Sequence, residues 1–190
     1  MIKTDVRWRR ALYDTITHGC IAFLSWAVVS NALHESPAFV SALLCGILAM
    51  VLDGDHFYEA RSFQLEKALS LQHRPFMHST STVIVISLNV WVLVKFMRSY
   101  WNVSCLDYLP WMCLIAWISH HLRDANRRGM WFMPLGSTPP LPQWMYISLI
   151  LLFVWLVTVV LYYRSSTSVV NVTYLGSTSV NVQNSHIIEL

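Results

Sequence analysis

Charged residues are scarce in this chain. Only 12% of its 190 residues are Asp, Glu, Lys or Arg, whereas a soluble domain usually contains about 25%. Hydrophobic residues make up 55% of the chain, and the mean hydropathy is +0.47. This combination excludes an ordinary soluble globular domain and favours one compact integral membrane domain.

The sequence also lacks cysteines at the close spacing that metal sites and redox motifs use. The chain has four Cys residues, but no Cys-x-x-Cys pair occurs, so the sequence indicates neither a disulfide framework nor a thiolate zinc site. The formal net charge is only +3, and Lys and Arg occur in short groups near the ends of apolar runs. Such groups usually set membrane topology, and we expect no nucleic-acid partner.

Five apolar runs predict about five membrane-spanning helices, because about 20 apolar residues are needed to cross the hydrocarbon core. The runs are almost free of charge and cover residues 17–33, 37–52, 79–96, 108–121 and 144–163. The predicted fold class is therefore an all-α, polytopic membrane protein. The runs 37–52 and 108–121 are short, so we expect these segments to tilt, to thin the bilayer or to be partly re-entrant.

The predicted membrane domain, residues 17–163, is flanked by two segments of different composition. Residues 1–16 form a basic, partly amphipathic lead-in, which we interpret as the approach to an uncleaved first span rather than a signal peptide. Residues 164–190 are rich in Ser, Thr, Asn and Val and carry almost no charge. For this last segment we expect a flexible tail or a weak hairpin, without an assigned function.

Lys and Arg are biased towards one side of the predicted threading. With a cytosolic N-terminus, the loops 53–78 and 122–143 are cytosolic too, and these loops hold most of the basic residues between spans. The positive-inside rule therefore predicts a cytosolic N-terminus. Glycosylation sequons at 102–104 and 171–173 fall on the lumenal side in this arrangement. We expect the protein in the endoplasmic reticulum or another endomembrane.

Acidic and imidazole side chains collect at one end of the predicted spans. Because successive spans run in opposite directions, alternate span ends meet at the same membrane face. Ionisable residues at span ends are costly enough to require a partner or a function. Eight candidate metal ligands lie at this face: His18, Asp53, Asp55, His56, His73, His78, His120 and Asp124.

The spacings and residue types in this set suit metal binding. Asp53 and His56 are three residues apart, and His120 and Asp124 are four apart, so each pair shares one helix face. Imidazole and carboxylate ligands without thiolate suit Zn²⁺, Mn²⁺ or Fe, and zinc or manganese is the expected cofactor. Eight ligands exceed the needs of one tetrahedral zinc, so either two metals bind or about half of the residues orient the ligands.

Hydrolysis is the chemistry that this set predicts. A metal-activated water could attack a phosphoryl or acyl centre, with Asp55 or Asp124 accepting the proton. Arg74 and Arg123 border the set, and guanidinium matches a phosphate or carboxylate. These four residues are the expected catalytic residues, and the expected substrate is a phospholipid headgroup or another phosphorylated or esterified amphiphile at the cytosolic interface.

The polar motifs resemble those of a known family. Segments 17–19, 53–56, 73–79 and 120–124 read Thr-His-Gly, Asp-Gly-Asp-His, His-Arg-Pro-Phe-Met-His-Ser and His-His-Leu-Arg-Asp. In order and spacing they are similar to motifs of membrane-bound metal-dependent hydrolases of the LexA-binding, YdjM-like inner-membrane type. That family has Gly where this chain has Pro75. The resemblance covers roughly residues 10–135 and implies a membrane-embedded, metal-dependent hydrolase.

Each motif taken alone also has an ordinary explanation, as an interfacial loop, a polar helix start or a helix-end ion pair. We assign no function to His34, His121 and His186. Two other functions stay open at this point. One is a non-catalytic scaffold or assembly factor with a structural or degenerate metal site. The other is a proton or ion pathway, which would need ionisable groups at several depths rather than at one face.

Overall fold

The computed structural model describes residues 2–34, 38–103 and 106–187, with side chains described between Val6 and Ser166 of those ranges. The helices are α1 (Ile2–Ala32), α2 (Ala38–Val51), α3 (Asp55–Glu59), α4 (Leu65–Leu69), α5 (Thr80–Trp101), α6 (Leu109–Arg128) and α7 (Gln143–Ile187). Two short strands, β1 (Trp131–Phe132) and β2 (Gly136–Ser137), pair antiparallel with Trp131 opposite Ser137. The all-α prediction is confirmed.

Within the described residues, four helical segments are long and apolar enough to cross a membrane. They are Val6–Ala32, Ala38–Glu59, Thr80–Trp101 and Gln143–Ser166. These segments correspond to four of the five predicted runs, so the polytopic class is confirmed. The remaining run, 108–121, lies in α6, whose last turns carry Arg123, Asp124, Arg127 and Arg128. Those charges make α6 less apolar than its neighbours.

Helix α6 is the central helix of the fold. It packs against α1, α2, α5 and α7, and more than half of its 20 residues are buried. Ile115 and Ala116 are fully buried at its middle, against a core that includes Trp26 of α1 and Cys45 of α2. The other long helices present many large apolar side chains at the outer surface, where lipid can cover them. This arrangement allows a polar helix end inside an apolar protein.

Two glycines set the close packing of α1 against α2. A Cβ atom added to Gly46 would lie 2.9 Å from the carbonyl oxygen of Gly19, and a Cβ on Gly19 would lie 2.7 Å from Sδ of Met50. Helix association inside a bilayer relies on such small residues, because lipid tails are as apolar as the side chains and burial alone gives little driving force. The close approach brings Gly19, the residue after His18, against the last turns of α2.

The C-terminal end of α6 is fixed by its own loop. Gly129 ends the helix with φ +73°, and a Cβ there would lie 1.8 Å from the carbonyl oxygen of Thr138. The Leu141 N–H donates to the carbonyl of Ala125 at 2.8 Å, and the Asn126 side chain donates to the Leu141 carbonyl at 2.9 Å. The Ala125 carbonyl thus accepts from Leu141 in addition to the Gly129 N–H, and the two bonds fasten the loop to the helix end that carries Asp124.

The two flanking segments are helical where the structure describes them. The basic lead-in belongs to α1, which begins at Ile2, and the sequence there contains no Gly or Pro to interrupt a helix. Helix α7 continues to Ile187, through the segment in which we expect a flexible tail or hairpin. The side chains of the sequon at 171–173 lie outside the described residues, as do Ser104 of the other sequon and residues 35–37.

Candidate metal centre

Four separate segments bring ionisable side chains together at one end of the long helices. His18 comes from α1, and His120 and Asp124 come from α6. The other two segments are single 3-10 turns, Leu52–Gly54 after α2 and Phe76–His78 before α5. Asp53 lies in the first of these turns and His56 follows in α3, and both offer a ligand atom within 4.8 Å of one on His78. We call the set Asp53, His78, His120 and Asp124 the inner cluster.

His78 lies at the centre of the inner cluster. Its Nδ1 atom is 3.1 Å from Oδ2 of Asp55. Its Nε2 atom lies 3.4 Å from Nε2 of His120, 3.6 Å from Oδ2 of Asp124 and 3.8 Å from Oδ1 of Asp53. Burial alone would lower the pKa of His78, but its contacts with Asp53 and Asp55 and the charge of Asp124 raise it to about 9.

His120 is fully buried, and its tautomer is fixed by the backbone. Its Nδ1 atom lies 3.0 Å from the carbonyl oxygen of Ala49. A carbonyl can only accept, so Nδ1 carries the proton and Nε2 keeps a free lone pair. That Nε2 atom lies 3.7 Å from Oδ1 of Asp53 and 3.8 Å from Oδ2 of Asp124. The lone pair of His120 therefore faces the inner cluster.

The spacing within the inner cluster fits a cation. Five of its inter-residue distances, all between the same four atoms, fall between 3.4 and 3.8 Å. Ligand atoms about 2.1 Å from a tetrahedral metal ion lie about 3.4 Å from one another. Two nitrogens and two carboxylate oxygens without thiolate are a donor set for zinc, manganese or iron. The residues present therefore fit a divalent metal ion after only small movements.

Two more histidines extend the inner cluster, one in contact with His120 and one in contact with His78. The ring of His18 stacks on His120 with centroids 3.8 Å apart, and its Nε2 lies 3.5 Å from Oδ1 of Asp124. His56 contacts His78 edge to face. Ligand atoms of His18, His120 and Asp124 lie within 4.8 Å of one another, as do those of Asp53, His56 and His78. The extended set could therefore hold two cations.

Outer groups orient the inner cluster. Asp55 Oδ2 accepts hydrogen bonds from the backbone N–H of Met77 and from Nδ1 of His78, both at 3.1 Å. Thr15 donates to Asp53 Oδ2 at 2.5 Å. Such partners fix the ring orientation and the tautomer of ligating histidines. Asp55 is therefore placed to position His78, and its Oδ2 atom is already occupied.

The arginines near the inner cluster interact mainly with carboxylates and backbone carbonyls of the protein itself. Arg127 bonds both Asp14 and Asp124, the latter at 3.0 Å, and Arg123 lies 3.8 Å from Asp14. Arg74 donates to two backbone carbonyls at the end of α6, including that of Gly129 at 3.1 Å. Arg74 thus anchors a helix end, and Arg123 and Arg127 hold α6 against α1.

The electrostatics around Asp124 favour its charged form. Burial alone would raise the pKa of Asp124, but its contact with His18 and the neighbouring rings of His120 and His78 hold it well below the usual range. A carboxylate that stays ionised is ready to bind a cation. The same property makes Asp124 a weak proton acceptor.

These positions fall in a part of the chain with recognisable relatives. The family model described as "YdjM inner membrane protein" matches residues 13–185. The chain belongs to this family. Proteins named transmembrane protein 267 are 44% identical over 142 residues in Mus musculus and 41% identical over 140 residues in Xenopus laevis. Each alignment covers 74% of this chain and 63% of the relative.

A third relative aligns with a longer part of this chain. Transmembrane protein 267 of Danio rerio is 35% identical over 158 residues, covering 82% of this chain and 68% of that protein. The chain spans less than two thirds of the length of the mouse and frog relatives. No solved structure matches this chain. The comparisons confirm the family resemblance and a multi-pass membrane protein.

The structure brings together seven of the eight ligand candidates predicted in this YdjM family member. His73 is exposed and belongs to neither group of converging ligand atoms. His121 is buried with both ring nitrogens engaged: Nε2 lies 3.1 Å from the carbonyl of Met77, and Nδ1 lies 3.3 Å from Oγ1 of Thr80. His121 therefore ties α6 to the start of α5, and its nitrogens are not available to a metal.

The sequence did not point to three groups that support the site: Asp14, Thr15 and the backbone carbonyl of Ala49. Asp14 and Thr15 precede His18 by four and three residues, so they lie on the same face of α1. Their spacing from His18 is therefore the sequence feature that could have identified Asp14 and Thr15. The Ala49 carbonyl gave no signal, because any residue type at that position supplies the same backbone group.

Proposed function

We propose that this protein is a metal-dependent hydrolase at the membrane interface, acting on a phosphorylated or esterified amphiphile. The observation that carries the proposal is the spacing of the inner cluster, in which five of the six distances among four donor atoms are close to one tetrahedral edge. His78 and His120 each have one nitrogen held by an outer group, which leaves the other nitrogen for a cation. Asp53 and Asp124 supply the negative charge that neutralises it.

A divalent metal bound there would supply a water of lowered pKa, about 7 in well-studied zinc enzymes, and would polarise the bond to be cleaved. The chain's own residues would orient the ligands and accept the proton. Asp55 is already bonded to Met77 and His78, so we assign it an orienting role. His56, which lies 3.1 Å from Asp55 and lines the cavities beside the cluster, is better placed to accept a proton.

The number of protein donors bears on the choice of metal. Four protein ligands fill a tetrahedral zinc ion, whereas catalytic zinc sites keep one position open. A six-coordinate manganese or iron ion would keep two positions for water and substrate. This observation also favours a second candidate function, a non-catalytic membrane protein in which the four ligands hold a closed structural zinc.

Metal content and turnover separate the two candidates. Protein purified in mild detergent should contain stoichiometric metal by plasma mass spectrometry, and Asp53→Ala should lose it. His73→Ala is the matched control, because that exposed histidine lies outside the cluster, and it should keep the metal. Equal, negligible metal in wild type and Asp53→Ala would rule out both the hydrolase and the structural zinc site. Bound zinc with no hydrolysis of phosphate-ester or carboxylate-ester lipid analogues would favour the structural one.

We further propose that the cluster faces the cytosol in the endoplasmic reticulum or another endomembrane. The support is the basic content of the segments that carry it, including Arg61 and Arg74 before α5 and Arg127 and Arg128 at the end of α6, since cytosolic loops carry an excess of Lys and Arg.

A further inference from the structure

An open groove leads from the protein surface to the inner cluster, and we call it the polar groove. It has a volume of about 250 Å³ and lies between α1, α4 and the end of α6. Asp53, His78 and Asp124 belong to its lining. A second cavity beside His78, lined also by His121 and Trp131, has room for only about 20 Å³, about the space of one water molecule. A substrate larger than water would therefore reach the inner cluster through the polar groove.

Arginines outnumber carboxylates in the lining of the polar groove. Four arginines line it against three aspartates: Arg7, Arg10, Arg127 and Arg128, with Asp14, Asp53 and Asp124. With its histidines neutral, the lining therefore carries one net positive charge, and a divalent metal at the inner cluster would add two more. A cleft with an excess of one charge concentrates ligands of the opposite charge. The polar groove thus favours an anionic ligand.

Two of these four arginines are available to that ligand. Arg127 bonds two aspartates, and Arg7 lies 3.9 Å from Glu66. Arg10 and Arg128 are exposed, and neither forms an ion pair with any carboxylate that the structure describes. One belongs to α1 and the other to α6. Two helices that border the polar groove therefore each offer it an unpaired guanidinium group.

The surroundings of Arg128 also favour an anion. Arg128 lines both cavities beside the inner cluster, as do His78 and Asp124. Arg74 donates to the backbone carbonyls of Arg128 and Gly129, which are neutral acceptors. Burial and the positive charge of Arg128 lower the pKa of Arg74, so the two guanidinium groups repel each other. An anion bound to Arg128 would offset this repulsion.

We propose that the polar groove binds the phosphate group of a phosphate monoester through Arg10 and Arg128. Guanidinium forms paired hydrogen bonds with phosphate oxygens. A phosphate monoester carries about 1.5 to 2 negative charges at pH 7, which matches two unpaired arginines, whereas a carboxylate ester is neutral at its reacting group. That this monoester is the substrate rests on the proposed hydrolase function, but phosphate binding in the groove does not.

The size of the polar groove limits which part of the ligand it holds. Pockets that enclose drug-sized ligands measure about 300–1,000 Å³, so the groove admits a phosphate and the groups next to it rather than a whole lipid. The inner cluster borders the same space. Hydrolysis there would form one phosphorus–oxygen bond with water and break the ester bond, and the released alcohol would take up a proton of that water.

Binding can be measured without metal or turnover. Chelator-treated protein in neutral detergent is titrated at constant ionic strength with octylphosphonate, whose carbon–phosphorus bond resists hydrolysis, in a calorimeter. Arg10→Gln with Arg128→Gln should weaken binding at least tenfold. Arg61→Gln with Lys67→Gln is the matched control, because it removes the same charge from exposed residues that do not line the groove. Equal affinity in the two double variants would overturn the phosphate site.

A steric variant leaves every charge in place. Ala11 also lines the polar groove, so Ala11→Trp should fill part of it and lower the affinity for octylphosphonate at least fivefold. Leu12→Trp is its control, because Leu12 is exposed beside Ala11 and does not line the groove. Wild-type affinity in Ala11→Trp would place the ligand elsewhere and overturn the proposal.

Three further measurements identify the ligand and separate this inference from the hydrolase. 1-Octanol binding as tightly as octylphosphonate would overturn the inference, because the alkyl chain would then supply the affinity. Inorganic phosphate binding as tightly would support the phosphate site and assign it to a soluble ester rather than a lipid headgroup. Metal-loaded protein that hydrolyses a carboxylate ester but not octyl phosphate would overturn the substrate class and leave the hydrolase standing.

The opposite result is also distinguishable. Octylphosphonate binding that depends on Arg10 and Arg128, in protein unable to hold metal, would refute the hydrolase and leave the phosphate site standing.

Discussion

Neighbouring histidines on α6 have opposite surroundings. His120 bonds one backbone carbonyl and directs its other nitrogen into the inner cluster. His121 uses both nitrogens to hold Met77 and Thr80 at the start of α5. The residue type is the same, so the difference comes from the groups that each ring meets. At the scale of single residues, roles are therefore decided by hydrogen-bond partners from other helices.

Replacing each of these two histidines should give different losses. His120→Ala should abolish metal binding, because it removes a central donor. His121→Leu should keep the metal but lower stability by about 1–3 kcal/mol, because it leaves a buried carbonyl and hydroxyl unpaired. Metal analysis and thermal unfolding of the two purified variants check this. Loss of metal in His121→Leu with an unchanged unfolding temperature would contradict the assignment.

Asp55→Asn tests the orienting carboxylate. The amide has the same shape but removes the charge that holds Nδ1 of His78, so metal affinity should fall about 10–100-fold. Competition with a coloured chelator measures the affinity. Asp107→Asn is the control, since Asp107 pairs with Arg98 on a different segment, and its affinity should match wild type. An Asp55→Asn protein with wild-type affinity would rule out the role.

Metal affinity should also depend on pH through His78. The pKa of this residue is raised to about 9, so in metal-free protein at neutral pH a metal ion must displace its proton. Below pH 9 the affinity should therefore rise with pH, by about tenfold per pH unit from this group alone. Titrations at pH 6.5, 7.0 and 7.5 measure the slope. An affinity that is flat or falls with pH would show that His78 is not a ligand.

At the scale of helices, the lengths of the apolar runs and the positions of the charged residues predict most of the fold. Four of the apolar runs are candidate spans close to where the sequence places them. The joining of distant polar segments also followed from alternating span direction. Less predictable was α6, because a short apolar run with a charged end is as compatible with a re-entrant segment as with a buried central helix. Tertiary packing against α1, α2, α5 and α7 decides between them.

The Gly19–Gly46 contact is the main test at this scale. Gly46→Ala would place Cβ 2.9 Å from a backbone oxygen of α1, which cannot move without separating the helices. Gly19→Ala meets the end of the flexible Met50 side chain instead. Gly46→Ala should therefore destabilise the protein by about 1–3 kcal/mol, and Gly19→Ala by less. Unfolding in a denaturing detergent gives the order, and the reverse order would contradict the packing.

At the scale of the whole molecule, the proposed site can form only if the loop after α3 and the β1–β2 hairpin lie on the same side of the bilayer. Phe63 and Leu135 are highly exposed in these segments, so a protease-site or glycosylation tag there should not disturb the core. Both tags should report the cytosol. Tags reporting opposite sides would separate the segments that carry the ligands, and no common site could form. Both tags in the lumen would leave the site intact and reverse the proposed orientation.

Helix α6 is enclosed by helices that come before and after it in the chain, and its last turns are strongly polar. A segment of this kind enters a bilayer less readily than an apolar one, so its insertion depends on partners that are already in place. His18 is made early and Asp124 is made late. In the proposed metal-dependent hydrolase, the ligands of the inner cluster therefore come together only after residue 124 has been synthesised, so metal binding would follow the insertion of α6.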